Sequence, residues 1–247
     1  MINWFKKSDN PLLQAYIASE RTGFGSRTLF NELRFVAIDV ETSGLDVEKD
    51  HILSIACFEI EHGQINLVNG RKWIVYQPAA VPTPATAIHG ILPCETRAGT
   101  SEKEVLEELI PILTGAIVVG HHVRFDLAMI HAAMMRHYNQ KCLNLTLDTA
   151  RIAMHELTAF HPTGYANQRP PSLDEVCAQL NLPVVSRHTA EGDAFTTAEV
   201  FLLLCGRIRR RLKNRPFQLR DLPTRRFQPC SSATSCAFVN KNQPLRL

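Results

Sequence analysis

The sequence predicts an α/β fold, a mixed sheet flanked by helices on both faces. Three observations carry this. The run Phe35-Val36-Ala37-Ile38 reads as a strand buried on both sides. Extended patterns at 35–40, 52–60 and 64–77 are followed by helical periods at 101–113 and about 124–138, with a short strand at 116–119 between them. Further helical periods lie at 148–157, 172–180 and 190–212. Such interleaving of strands and helices favours a sheet covered on both faces.

Each element has a local reason. Residues 1–34 read as an appended helical extension: Asn10-Pro11 is a helix start, and Leu12, Leu13, Tyr16 and Ile17 form one face. The second and third strands join through Glu61-His62-Gly63, and proline-rich 78–84 is a loop. Thr100 or Ser101 starts the helix at 101–113, with Glu104 placed for a capping box. Gly120 ends the short strand before the helix at 124–138. The segment 158–171, with three prolines, is a loop. The expected organisation is therefore an extension at 1–34, a domain at 35–206 and a tail at 207–247.

The chain has 247 residues, 45% of them hydrophobic and 21% charged, enough to bury a sizeable core. No apolar stretch reaches the roughly 18–20 residues of a membrane span, and the first residues lack a signal peptide's apolar centre. The seven cysteines contain no C-x-x-C pair. Cys57, Cys177 and Cys205 sit in apolar stretches as small core residues, Cys230 and Cys236 in a polar tail, and a reducing cytoplasm is expected. Charge is divided unevenly. Residues 35–206 hold 11 basic and 20 acidic residues, whereas 207–247 hold 11 basic residues and one acid, Asp221. A basic tail beside an acidic body suits a nucleic-acid partner.

Three acidic segments fit one chemistry: Asp39-Val40-Glu41-Thr42, His121-His122-Val123-Arg124-Phe125-Asp126 and Arg187-His188-Thr189-Ala190-Glu191-Gly192-Asp193. Side chains at i and i+2 of a strand point the same way, so Asp39 and Glu41 converge at the end of a buried strand. Close carboxylates repel unless cations neutralise them. With Asp126 and Asp193 they form an oxygen donor set for two Mg²⁺ or Mn²⁺ ions in phosphodiester hydrolysis. Asp126 and Asp193 are expected near helix starts, where backbone N–H groups favour the ionised carboxylate. His188, in a loop, is the candidate general base for the attacking water.

These segments resemble the three motifs of the DEDDh 3′–5′ exonucleases. Ala87-Ile88-His89-Gly90-Ile91 and Leu147-Asp148-Thr149 resemble secondary features of that family, and the likeness covers roughly residues 35–206. One departure is His122, where the family's second motif commonly has asparagine. The resemblance implies a ribonuclease H-like fold, catalytic Asp39, Glu41, Asp126, His188 and Asp193, and metal binding by the four carboxylates. It also implies contacts to a 3′-terminal nucleotide from the backbone of Val40 and Thr42 and the side chain of Leu45, with His89, His122 and Phe125 as further candidates. Within the family the chain is most like the proofreading epsilon subunit of bacterial DNA polymerase III. The expected partner is therefore DNA, as a single-stranded 3′ end or primer terminus, with RNA exonuclease or polymerase-associated docking subunit as alternatives. Phe217-Gln218-Leu219-Arg220-Asp221-Leu222 resembles peptides that bind bacterial sliding clamps.

Overall fold

The computed structural model describes residues 10–161 and 169–229. Six strands form one mixed sheet in the order β3-β2-β1-β4-β5-β6. They are β1 (Arg34–Thr42), β2 (Ile52–Glu61), β3 (Gln64–Ile74), β4 (Ile117–Gly120), β5 (Leu145–Asp148) and β6 (Arg225–Arg226). β1 runs antiparallel to β2 and parallel to β4; β4 and β5 are parallel, and β6 returns antiparallel on β5. The helices are α1 (Pro11–Thr22), α2 (Thr86–His89), α3 (Pro93–Arg97), α4 (Glu102–Leu113), α5 (Arg124–Tyr138), α6 (Thr149–Glu156), α7 (Leu173–Leu180) and α8 (Ala190–Leu212).

The helices divide between the two faces as the strand parity of β1 requires. Val36, Ile38 and Val40 join the core under α1, α4 and α5. Phe35 and Ala37 join the core under α6, α7 and α8. Cys57, Cys177 and Cys205 are buried as expected, whereas Cys230 and Cys236 lie outside the described residues. No helix among the described residues is long and apolar enough to cross a membrane.

Most elements follow the sequence reading closely, because their ends are chemically marked. Asn10 Oδ1 accepts from Leu12 N–H at the start of α1. Ser101 with Glu104, and Ser172 with Glu175, form capping boxes at α4 and α7. The third strand stops at Ile74, short of the expected 77, where Val75 pairs instead with Thr100. Four elements have no counterpart in the sequence pattern: β5, β6, α2 and α3. Each is five residues or fewer, too short for a period to register.

Packing is continuous on either side of residues 34 and 206. α1 packs into the core through Leu13, Tyr16 and Ile17, and β1 begins at Arg34 itself. α8 runs unbroken through residue 206, and its buried face extends to Ile208. The following chain then folds back: Phe217, Leu219 and Leu222 are buried in the α8-side core, and β6 completes the sheet. The segment 217–222 is part of this return. Its two leucines are 5% exposed each, and their apolar side chains are used internally.

Candidate active site

The site forms where β1 passes the first turn of α8. Asp39 and Glu41 continue the series begun by Phe35 and Ala37, so they point toward α8. Asp193 lies in the first turn of that helix. Oxygens of Asp39, Glu41 and Asp193 lie within 4.8 Å of one another. Asp39 and Asp193 are buried and Glu41 is half-buried. Three carboxylates gathered this closely at the edge of a core make a site for a hard cation, and the all-oxygen donor set suits Mg²⁺ or Mn²⁺.

The loop before α8 closes on the same place. Thr189 Oγ1 accepts from Gly192 N–H at 3.1 Å and donates to the Ser186 carbonyl at 2.7 Å. Gly192 is required here, since a Cβ would lie 2.1 Å from the Ser186 carbonyl oxygen. Ser186 and His188 take positive φ, 53° and 61°, which turns the loop tightly. His188 thereby lines one cleft with Asp39, Glu41 and Asp193. Arg187 lines it too, donating to Asp193 Oδ1 and, through two nitrogens, to both carboxylate oxygens of Asp174 on α7. The motifs alone do not single out Arg187. Its place beside His188 is a usable signal, because a cation two acids can share is informative near a carboxylate cluster.

β4 delivers the second acidic segment. Asp126, in the first turn of α5, is fully buried, and its Oδ1 accepts from Val40 N–H at 3.1 Å. It therefore sits against the backbone between Asp39 and Glu41, outside the three-carboxylate group. His121 and His122 line the cleft with their rings edge to face, centroids 4.5 Å apart. The Pro171 carbonyl can only accept, so His121 Nε2 carries a proton toward it at 3.0 Å, and Nδ1 meets Thr149 Oγ1 at 2.8 Å. Asp148 caps α6 and accepts from His122 N–H at 3.2 Å; burial pushes its carboxyl above the usual range.

Residues 36–201 match the RNase_T exonuclease family. The chain belongs to this exonuclease family. Among its relatives, DNA polymerase III subunit epsilon of Aquifex aeolicus is 28% identical over 68% of this chain and 78% of the relative. A PolC-type DNA polymerase III of Thermotoga maritima is 28% identical over 77% of this chain, which spans only 13% of that polymerase. The 3′-5′ exonuclease DinG of Bacillus subtilis is 29% identical over 86% of this chain and 22% of its own length. In structure, the chain resembles E. coli Exonuclease I in complex with a dT13 oligonucleotide, with a TM-score of 0.58 and 19% identity over 73% of this chain and 42% of that one. The sheet and its helices thus have the ribonuclease H-like α/β architecture expected from the motifs.

The remaining candidate residues lie as follows around the cleft. Leu45 is 41% exposed on a loop fixed by Asp50, which accepts from Ser43 Oγ and Asp46 N–H, both at 2.8 Å. An apolar side chain so held can pack on a base. Thr42 is buried and donates to the Gly44 carbonyl at 2.6 Å, shaping the same loop. The backbone N–H of Val40 donates to Asp126 Oδ1, which leaves its carbonyl as the other backbone group at this position. Phe125 is 4% exposed and packs in the core under α4 and α5. His89 is buried, its Nδ1 accepts from Ile91 N–H at 3.0 Å, and burial lowers its pKa. It shapes the turn after α2 and does not line the carboxylate cleft.

Proposed function

We propose that this protein is a metal-dependent 3′–5′ exonuclease that releases mononucleotides from DNA 3′ ends. The observation that carries it is the convergence of Asp39, Glu41 and Asp193 on one cleft with His188. These three carboxylates would hold Mg²⁺ or Mn²⁺, with Asp126 contributing to a second ion. When bound, such ions stabilise the attacking and leaving oxygens of a phosphoryl displacement. His188 accepts the proton of the attacking water, while Arg187 fixes Asp193. Leu45 packs on the terminal base without reading its identity. The water oxygen joins phosphorus, the upstream 3′ oxygen leaves, and a nucleoside monophosphate is released.

DNA is favoured because relatives are named as polymerase III subunits and because Exonuclease I has been seen with oligothymidine. Proofreading beside a polymerase extends the same reading. A pure docking role is disfavoured, since all five catalytic positions keep the right residue type. The test is end-labelled single-stranded DNA, a mismatched primer–template and short RNA, each with Mg²⁺ or Mn²⁺ and with chelator. Stepwise release of mononucleotides from DNA that stops on chelation is expected. Activity surviving exhaustive chelation overturns the metal reading, and faster turnover of RNA reassigns the substrate.

A further inference from the structure

Among the described residues, basic side chains are concentrated at the end of α8 and on the chain that returns from it. Residues 207–229 hold nine basic residues and one acid. Arg211 and Arg215 are engaged by Glu156 and Asp221. Arg207, Arg209, Arg210 and Lys213 are exposed and make no ion pair among the described residues. Arg220 lines a cleft with Arg211 between α6, the end of α8 and the returning chain. That return is rigid: Phe217 stacks on Phe30 with ring centroids 4.6 Å apart, and Leu219 and Arg220 donate to the carbonyls of Thr28 and Ser26 at 3.0 and 2.9 Å. Arginines in the last turn of a helix offset its dipole, but that effect is confined to the last turn. Arg207 and Arg220 lie outside it.

The placement relative to the active site matters. α8 carries Asp193 in its first turn and these arginines at its far end. At about 1.5 Å per residue, Arg207 and Arg210 lie about 21–26 Å along the helix from Asp193. The body between is acidic, with 20 acids against 11 bases over 35–206, and would repel a polyanion along much of its surface.

We propose that this basic pole binds the phosphate backbone of a nucleic-acid strand whose 3′ end lies in the carboxylate cleft. At about 3.4 Å per stacked nucleotide this separation corresponds to about 6–8 nucleotides of stacked strand. Short oligomers then reach only the cleft, and longer ones engage both. The inference rests on the exonuclease reading for the position of the 3′ end, but its test is a binding measurement that needs no turnover.

The experiment measures anisotropy of labelled dT4 and dT20 in chelator, with wild type and with the triple variant Arg207→Ala, Arg210→Ala, Arg220→Ala. All three side chains are exposed, and a thermal melt verifies that the variant folds. Wild type should bind dT20 at least ten-fold more tightly than dT4. The variant should lose about ten-fold on dT20 and nothing on dT4. Its slope of log affinity against log salt should fall by about 2, at about 0.7 for each phosphate no longer neutralised. Equal losses on both lengths, or none on dT20, overturn the proposal. So does binding of anionic lipid vesicles by wild type with dT20 affinity unchanged in the variant. If dT20 binding behaves as expected but no nucleotide is released with Mg²⁺ or Mn²⁺, the exonuclease reading fails and the basic pole stands.

Discussion

Among the described residues, Arg187 is the one Arg or Lys lining the carboxylate cleft, and it divides its guanidinium between Asp193 there and Asp174 on α7. Burial works against its charge, but the hydrogen bonds to Asp174 and Asp193 outweigh that and hold it protonated above its ordinary range. Three separate nitrogens of the planar guanidinium serve the two acids, a geometry that a single ammonium nitrogen does not reproduce. We expect Arg187→Ala to lower the single-turnover rate about ten-fold or more, with Arg187→Lys failing to restore it. Rates within two-fold of wild type in Arg187→Ala would show that Asp193 needs no such support. Gly192→Ala acts one step further back. Its Cβ would displace the Ser186 carbonyl and with it His188, and shifts of about 1 Å at a reacting group can lower rates on the order of 100-fold. The expected signature is a fall in kcat with dT4 affinity retained. Asp39→Ala should abolish turnover yet melt higher than wild type without metal, because repulsion within the carboxylate group is relieved. A lower melt would mean that the apo site is not strained by charge. The three motifs were legible because metal chemistry demands carboxylates at fixed strand and helix positions. The fate of Val40 and Phe125 was not, because whether a neighbour is core or cleft depends on packing across the sheet.

α1 meets the rest of the fold at the buried side chain of Asn144, and Arg226 of β6 reaches Glu20 beside it. Asn144 Nδ2 donates to the carbonyls of Leu113 and Ala116 at 2.8 and 3.0 Å and to Glu20 Oε1 at 3.3 Å. Tyr16 donates to its Oδ1 at 2.7 Å. Glu20 is 5% exposed, and burial raises its carboxyl to about 7, only partly opposed by Arg226. The folded pKa exceeds the unfolded one, so the native state binds the extra proton between about pH 4.5 and 7. Glu20's contribution is therefore full below about 4.5 and is lost as pH rises through 7. Glu20→Gln should remove that dependence, making the variant more stable than wild type at pH 8 by about 1–3 kcal/mol and nearly equal at pH 5. Urea midpoints at the two pH values measure this, and a parallel loss of stability at both would refute it. Elements with caps, such as α4 and α7, could be read from sequence because Ser and Glu three residues apart mark the end chemically. β6 could not: its two residues are both arginine, and only the unpaired edge of β5 gives them a strand's conformation.

Across the whole molecule, the alternation of strands and helices was enough to predict the layered sheet, because β1 is apolar on both faces and must be covered on both. Whether the chain after α8 packs back was not legible, since an excess of arginine looks the same whether or not apolar residues between the charges are buried. Phe217, Leu219 and Leu222 decide the matter. Removing residues 213–247 should therefore unfold or severely destabilise the protein. Each large buried side chain typically contributes about 2–5 kcal/mol, against a total of about 5–15 kcal/mol. A denaturant midpoint near wild type in the truncated chain would contradict the packing of the return segment.

The pairing of β6 with β5 also governs when the molecule can finish folding. Glu20 and Arg226 are 206 positions apart and Tyr16 and Asn144 are 128 apart, so these contacts close very long loops. Topologies closed by such distant pairings fold slowly. On the ribosome, the open edge at Leu145–Asp148 stays exposed until Arg226 has emerged, and an unpaired strand edge is a template for association with other chains. The nascent chain is therefore open to association with other chains until β6 has been made.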